Sequence, residues 1–161
     1  DDIRSAKWMK LIANAGELVP SAILNLPLED AMNLPGVLDF MIECGREAAR
    51  VAVANGATLV PIFGMTQADV TGPDQYAEDL LGMVRSHFSL PDTKTTVLQD
   101  WQKGRRAEVN EVNGLVVELQ KKTGGSAPAN ERTVELARRI EAGTLKADPS
   151  NVDLLLGVRA L

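Results

Sequence analysis

One cysteine, one histidine and one tyrosine stand in 161 residues, and aromatic residues make up only 4% of the chain. The lone Cys44 excludes an internal disulfide and fits a reducing compartment. The lone His87 excludes a metal site built on several histidines, and no metal is expected. Neither GxGxxG nor GxxxxGK[ST] occurs, so the usual glycine-rich cradles for a dinucleotide or a phosphate are missing. No apolar run reaches the ~20 residues that a membrane helix needs. A net charge of −5 argues against broad attraction to nucleic acid. The opening Asp1-Asp2-Ile3-Arg4 is not a signal peptide and lacks an initiator methionine, so the expectation is a cytoplasmic fragment of a longer protein.

What is present is helical. Apolar residues supply 45% of the chain, enough for the core of one domain. From Ile3 to about Asn25, Trp8, Leu11, Ile12, Ala15, Leu18 and Val19 recur at helical spacing, with a kink or break expected at Pro20. A short turn then precedes a long helix over 36–54, stopped by Asn55-Gly56. Residues 57–73, punctuated by Pro61, Gly64, Gly72 and Pro73, read as a long loop with an apolar middle. Helices follow over 74–88 with Asp74 as cap, over 93–103, over 107–122 with Gly114 as a close-packing position, and over 130–142 with Asn130 as cap. The expected architecture is an all-α, multi-helix domain spanning 1–161, with a core over about 5–143 and a tail over 144–161 that is a short helix or a loose end.

Lys10, Asn14, Glu17 and Ser21 recur at spacings of four, three and four, which makes one polar stripe on the first helix. It reads either as a solvated face or as the wall of a cleft, where an ammonium and an amide one turn apart bind one polar ligand. Thr96 and Asp100 sit one turn apart, and Glu108 opens the next helix, where the helix dipole favours a carboxylate. Arg105 and Arg106 read as surface charges, His87 as a helix-end residue, Cys44 as core, and Trp8 and Trp101 as packing anchors. By pattern alone, the function stays open.

A resemblance narrows it. Lys7-Trp8-Met9-Lys10-Leu11-Ile12-Ala13-Asn14 resembles the KWxKLxxN opening of the C-terminal domain of ketopantoate reductase (2-dehydropantoate 2-reductase). Thr96-Val97-Leu98-Gln99-Asp100, Gly104 to Asn110 and Val112-Asn113-Gly114 resemble that family's S-x-x-Q-D…R-x-T-E-I-D-x-x-N-G stretch, and Pro128-Ala129-Asn130 its P-x-N. The resemblance implies a helical domain like the C-terminal domain of 6-phosphogluconate dehydrogenase. It implies a separate N-terminal Rossmann domain that binds NADPH, with a 2-oxo acid substrate in the cleft between the two. Lys10 would be the general acid, Glu108 would position substrate and lysine, and Asn14, Thr96 and Asp100 would bind substrate. Leu18 and Leu28 stand where the family has asparagines, which implies a larger or more apolar substrate. The implied partners are that substrate and the N-terminal domain, with no nucleic acid and no membrane; a homodimer is compatible with the resemblance. Alone, the chain would bind no NADPH productively and be inactive. The other reading, from a different class, is a non-catalytic helical binding or dimerisation module that uses the apolar stretch 59–63.

Overall fold

A computed structural model of the chain describes residues 3–87 and 89–161, and among these every regular element is helical. In chain order they are α1 (Ile3–Ile23), α2 (Leu28–Met32), α3 (Val37–Ala54), α4 (Pro73–His87), α5 (Thr96–Gln102), a π-helical turn (Asn110–Gly114) that runs into α6 (Leu115–Lys122), α7 (Pro128–Glu141) and α8 (Val152–Leu155). The all-α expectation holds. Among the described residues no helix is long and apolar enough to cross a membrane.

The spine is α1, which packs against α3, α4, α5, α7 and the π turn. Its apolar face feeds two clusters. Met9, Ile12, Ala13 and Ala15 join Ala48, Ala49, Val51 and Ala52 of α3 and Tyr76 and Leu80 of α4. Val19, Ala22, Ile23 and Leu24 join Leu98 of α5, Leu136 of α7 and Leu155 of α8. The helices approach closely where side chains vanish. A Cβ on Gly16 would stand 2.8 Å from Leu81 Cδ2 and 2.9 Å from the Met41 carbonyl oxygen, so only glycine lets α1 meet α3 there. Gly114, expected as the close contact, would meet ordinary distances of 3.4–3.5 Å within its own π turn.

Four local expectations are corrected. Pro20 does not break α1, which continues to Ile23. The Ser21 hydroxyl, one residue past the imino acid, donates to the Glu17 carbonyl at 2.8 Å and is satisfied inside the helix. Asp74 lies inside the first turn of α4, not at its cap, and forms a two-pronged ion pair with Arg50 at 2.7 and 2.8 Å. That guanidinium holds the Asp74 carboxyl below its ordinary range. Asn130 also lies inside its helix, because α7 starts at Pro128 with the ring at a position that needs no N–H donor. The stretch 107–122 is not one α-helix: it opens as an irregular segment, passes through the π turn and becomes α-helical only at Leu115. The last residue of the helix expected over 74–88, Phe88, lies outside the described residues.

The 57–73 loop is anchored. Tyr76, fully buried, donates its hydroxyl to the Val60 carbonyl at 2.7 Å, and Thr66 and Asp69 cap the 3-10 turn Gln67–Asp69 reciprocally. The tail is packed as well: Leu155 is fully buried, and the Asn151 amide donates to the Ile23 carbonyl at 3.1 Å.

Candidate active site

The polar stripe of α1 is neither uniformly solvated nor uniformly buried. Lys10 is exposed and Asn14 half-buried, whereas Glu17 retains 7% of its surface and Ser21 none. The stripe therefore descends from the surface into the interior along one helix face. At its inner end it meets the start of α5. The Thr95 hydroxyl donates to the Leu18 carbonyl at 3.0 Å, lies 3.4 Å from the Ser21 hydroxyl, and accepts from the Leu98 N–H as N-cap of α5. Thr96, the residue singled out from sequence, is exposed one position further on. Asp100 is half-buried on the same helix, and its carbonyl takes the Arg105 N–H at 2.8 Å as the chain leaves α5.

A second tie reaches α1 from the segment that carries Glu108. This glutamate is exposed, and its carbonyl accepts the Val112 N–H at 3.2 Å as the π turn begins. Inside that turn, Asn113 is fully buried. Its amide donates to the Ala15 carbonyl at 2.9 Å and to Asn130 Oδ1 at 2.8 Å. Asn130 in turn donates to the Cys44 carbonyl at 3.1 Å and to Glu47 at 2.7 Å. The Glu47 carboxylate also accepts the Ala129 and Asn130 N–H groups at 2.9 and 3.0 Å, closing the first turn of α7. Burial raises the Glu47 carboxyl, and these bonds from Asn130 and Ala129 oppose the rise.

So residues 15–18 of α1 receive one bond from the chain just before Thr96 and one from the chain just after Glu108. It is the backbone segments that are brought together. Among the described residues no hydrogen bond or ion pair joins Lys10, Asn14, Thr96, Asp100 or Glu108 to one another. The two leucines at family asparagine positions diverge. Leu28 is buried in the core with its N–H on the Thr93 carbonyl, so its side chain is committed to packing; Leu18 remains half-buried on α1. His87 is exposed with Nδ1 at 3.2 Å from the Met83 carbonyl, Cys44 is buried, and both tryptophans are half-buried. No group of three or more His, Cys, Asp or Glu among the described residues is arranged to hold a metal ion.

The family profile described as ketopantoate reductase PanE/ApbA C-terminal matches residues 2–141. The chain belongs to this family. Solved structures agree on the fold. A PanE/ApbA family ketopantoate reductase from Ralstonia eutropha JMP134 superposes with a TM-score of 0.73 at 29% identity, over 89% of this chain and 43% of that one. A dimeric ketopantoate reductase from Staphylococcus aureus gives 0.72 at 16% identity, over 89% and 45%. A D-mandelate dehydrogenase, solved with NADH and anilino(oxo)acetate, gives 0.72 at 18% identity, over 89% and 54%. The chain thus spans about half the length of these proteins or less. No curated protein matches it significantly.

Within this domain, sequence reasoning missed Glu17 as a buried group. One carboxylate oxygen, Oε1, is buried without a hydrogen-bond partner, and burial pushes the acid up to about 8. It also missed the relay Asn113–Asn130–Glu47. The signal was in the sequence. Asn113 sits on the helical face of Val109, Val112 and Val116, and an amide on an apolar face must find internal partners.

Proposed function

We propose that this chain is the substrate-binding and catalytic C-terminal domain of an NADPH-dependent 2-dehydropantoate 2-reductase or a closely related 2-oxo acid reductase. The observation that carries the reading is the double tie onto residues 15–18 of α1, because it gathers the segments bearing Thr96 and Glu108 along the helix that presents Lys10 and Asn14. The family match over residues 2–141 supports it.

In this reading the substrate keto acid lies against the outer part of α1. Lys10 approaches the ketone oxygen with its ammonium group. As the carbonyl is reduced, negative charge grows on that oxygen, so a fixed cation stabilises the transition state more than the ground state. Nζ then gives up a proton to the oxygen and completes the alcohol. Asn14 donates its amide to the substrate one turn along the helix. Thr96 adds a hydroxyl and Asp100 a polar wall on the α5 side, while Glu108 holds substrate and lysine in register. NADPH, when bound, supplies the hydride. An ammonium, an amide and a hydroxyl suit a small anionic keto acid, whereas a dinucleotide pyrophosphate is held by a glycine-rich turn at a helix start, so a separate N-terminal Rossmann domain holds the cofactor. Residues 1–161 form one domain of the intact reductase, whose setting is the cytoplasm. Its assembly is a homodimer, as in the dimeric Staphylococcus aureus relative.

Of the two leucines at family asparagine positions, Leu18 is the one left to shape the pocket, and it favours a substrate more apolar at that point than ketopantoate. The test is a panel of 2-oxo acids offered to the intact protein with NADPH and with NADH. Reduction of ketopantoate or a bulkier 2-oxo acid with NADPH is expected; failure to reduce any 2-oxo acid with either cofactor overturns the reading.

A further inference from the structure

We propose that Glu141, the last residue of α7, is a positioning residue that sets the place of Glu108. The inference rests on the role given to Glu108 above. Glu108 lies at the end of an irregular passage between α5 and the π turn, a passage that includes Gly104 at a φ of 67°. Its downstream side is fixed by the Val112 N–H and by the buried Asn113. Its upstream side is held by the Asp100 carbonyl, which takes the Arg105 N–H at 2.8 Å, and, next to Glu108 itself, by one carboxylate oxygen. Glu141 Oε1 accepts the Ala107 N–H at 3.2 Å, one residue before Glu108, and the Trp101 indole N–H at 3.1 Å. A single carboxylate therefore fastens both ends of the loop that delivers Glu108, at the rim of a cleft of about 430 Å³ lined by Trp101, Gly104, Arg105, Arg106 and Ile140.

The location argues that this acid has a task. A carboxylate in the last turn of a helix faces the negative end of the helix dipole, where acids are disfavoured. Two N–H donors aimed at it compensate. Glu141 is exposed, so it contributes little to the core. Its bonds act on the path of the 101–107 segment, and a shift of that segment by about an ångström is enough to misplace a substrate-orienting group.

The experiment is a double-mutant cycle in the intact reductase, read as kcat/KM for the 2-oxo acid. Glu141→Ala is expected to lower kcat/KM by about 10- to 100-fold. Glu141→Gln, whose amide oxygen still accepts both N–H groups, is expected to restore activity to within about threefold. In a Glu108→Gln background, Glu141→Ala is expected to add less than about threefold, because two residues acting through one group are not additive. Trp101→Phe removes only the indole donor and is expected to give a smaller loss that also vanishes in that background. It serves as the test if Glu141→Ala loses its helical circular dichroism. Full activity in Glu141→Ala, or an equal loss in both backgrounds, overturns the proposal. A Glu108→Gln enzyme as active as the parent overturns the earlier role of Glu108 instead, a separate and distinguishable result.

Discussion

The outer and inner halves of the α1 stripe carry the same kinds of polar group in opposite surroundings. Lys10 and Asn14 face outward and make no internal hydrogen bond among the described residues, whereas Glu17 and Ser21 are buried. An unpaired polar group at the surface costs nothing, since water satisfies it, and it is available to a ligand. A buried one must be satisfied internally or reduce stability. Ser21 meets that demand through the Glu17 carbonyl. Glu17 does not, since Oε1 has no partner. A periodic polar stripe is therefore two devices on one helix, an outer half open to a ligand and a structural inner half. The buried Glu47, which accepts three N–H bonds, shows what a compensated acid looks like in the same fold.

The largest effect expected at the inner half comes from Glu17. Its folded value near 8 lies above the ordinary 4.5, so between these pH values the folded state keeps a proton that the unfolded chain has lost. Stability then falls as pH rises from about 4.5 to about 8, by on the order of 5 kcal/mol, and this contribution is flat outside that window. Glu17→Gln should remove the slope and raise the melting temperature at pH 8.5 by roughly 10 °C while changing it little at pH 4.5. Scanning calorimetry across pH checks this; a slope that survives the substitution would show that other groups carry the pH dependence.

Next comes the compensated acid. Glu47→Ala leaves three donors at the start of α7 without an acceptor and should cost about 3 kcal/mol in urea unfolding. An effect under about 0.5 kcal/mol, the range of ordinary surface changes, would erase the contrast with Glu17. Asn113→Ala removes the bonds to α1 and α7 and is expected to cost about 2 kcal/mol by the same measurement. The smallest effect is at Ser21. Losing one hydroxyl bond beside Pro20, Ser21→Ala should cost about 1 kcal/mol, with helical circular dichroism retained; disruption of α1 would show that the hydroxyl is what carries the helix past the proline.

Much of this was legible in the sequence. Long apolar periodicity over 3–25 and 36–54 reports core burial directly, and these helices appear within two residues of where they were read. The motifs around Lys10, Thr96 and Glu108 were also visible, as residue types at fixed spacings. What stayed hidden was anything set by a distant partner. Pro20 signals a break locally, but the helix continues to Ile23, where Val19, Ala22 and Ile23 are packed in the core. Asn130 resembles a cap, but Pro128 had already started α7 and the amide turns to Glu47 and Cys44. The π turn arises where Asn113 reaches both α1 and α7, which no local propensity encodes. The burial of Glu17 depends on the elements that pack against α1, a tertiary event.

The central claim is that the outer half does chemistry without holding up the fold. Lys10→Ala in the intact protein tests it most directly, with kcat/KM for 2-oxo acid reduction and the melting temperature measured on the same preparation. The account predicts a loss of about 10²- to 10⁴-fold in kcat/KM with a melting temperature unchanged within experimental scatter. Undiminished turnover in that variant would contradict it.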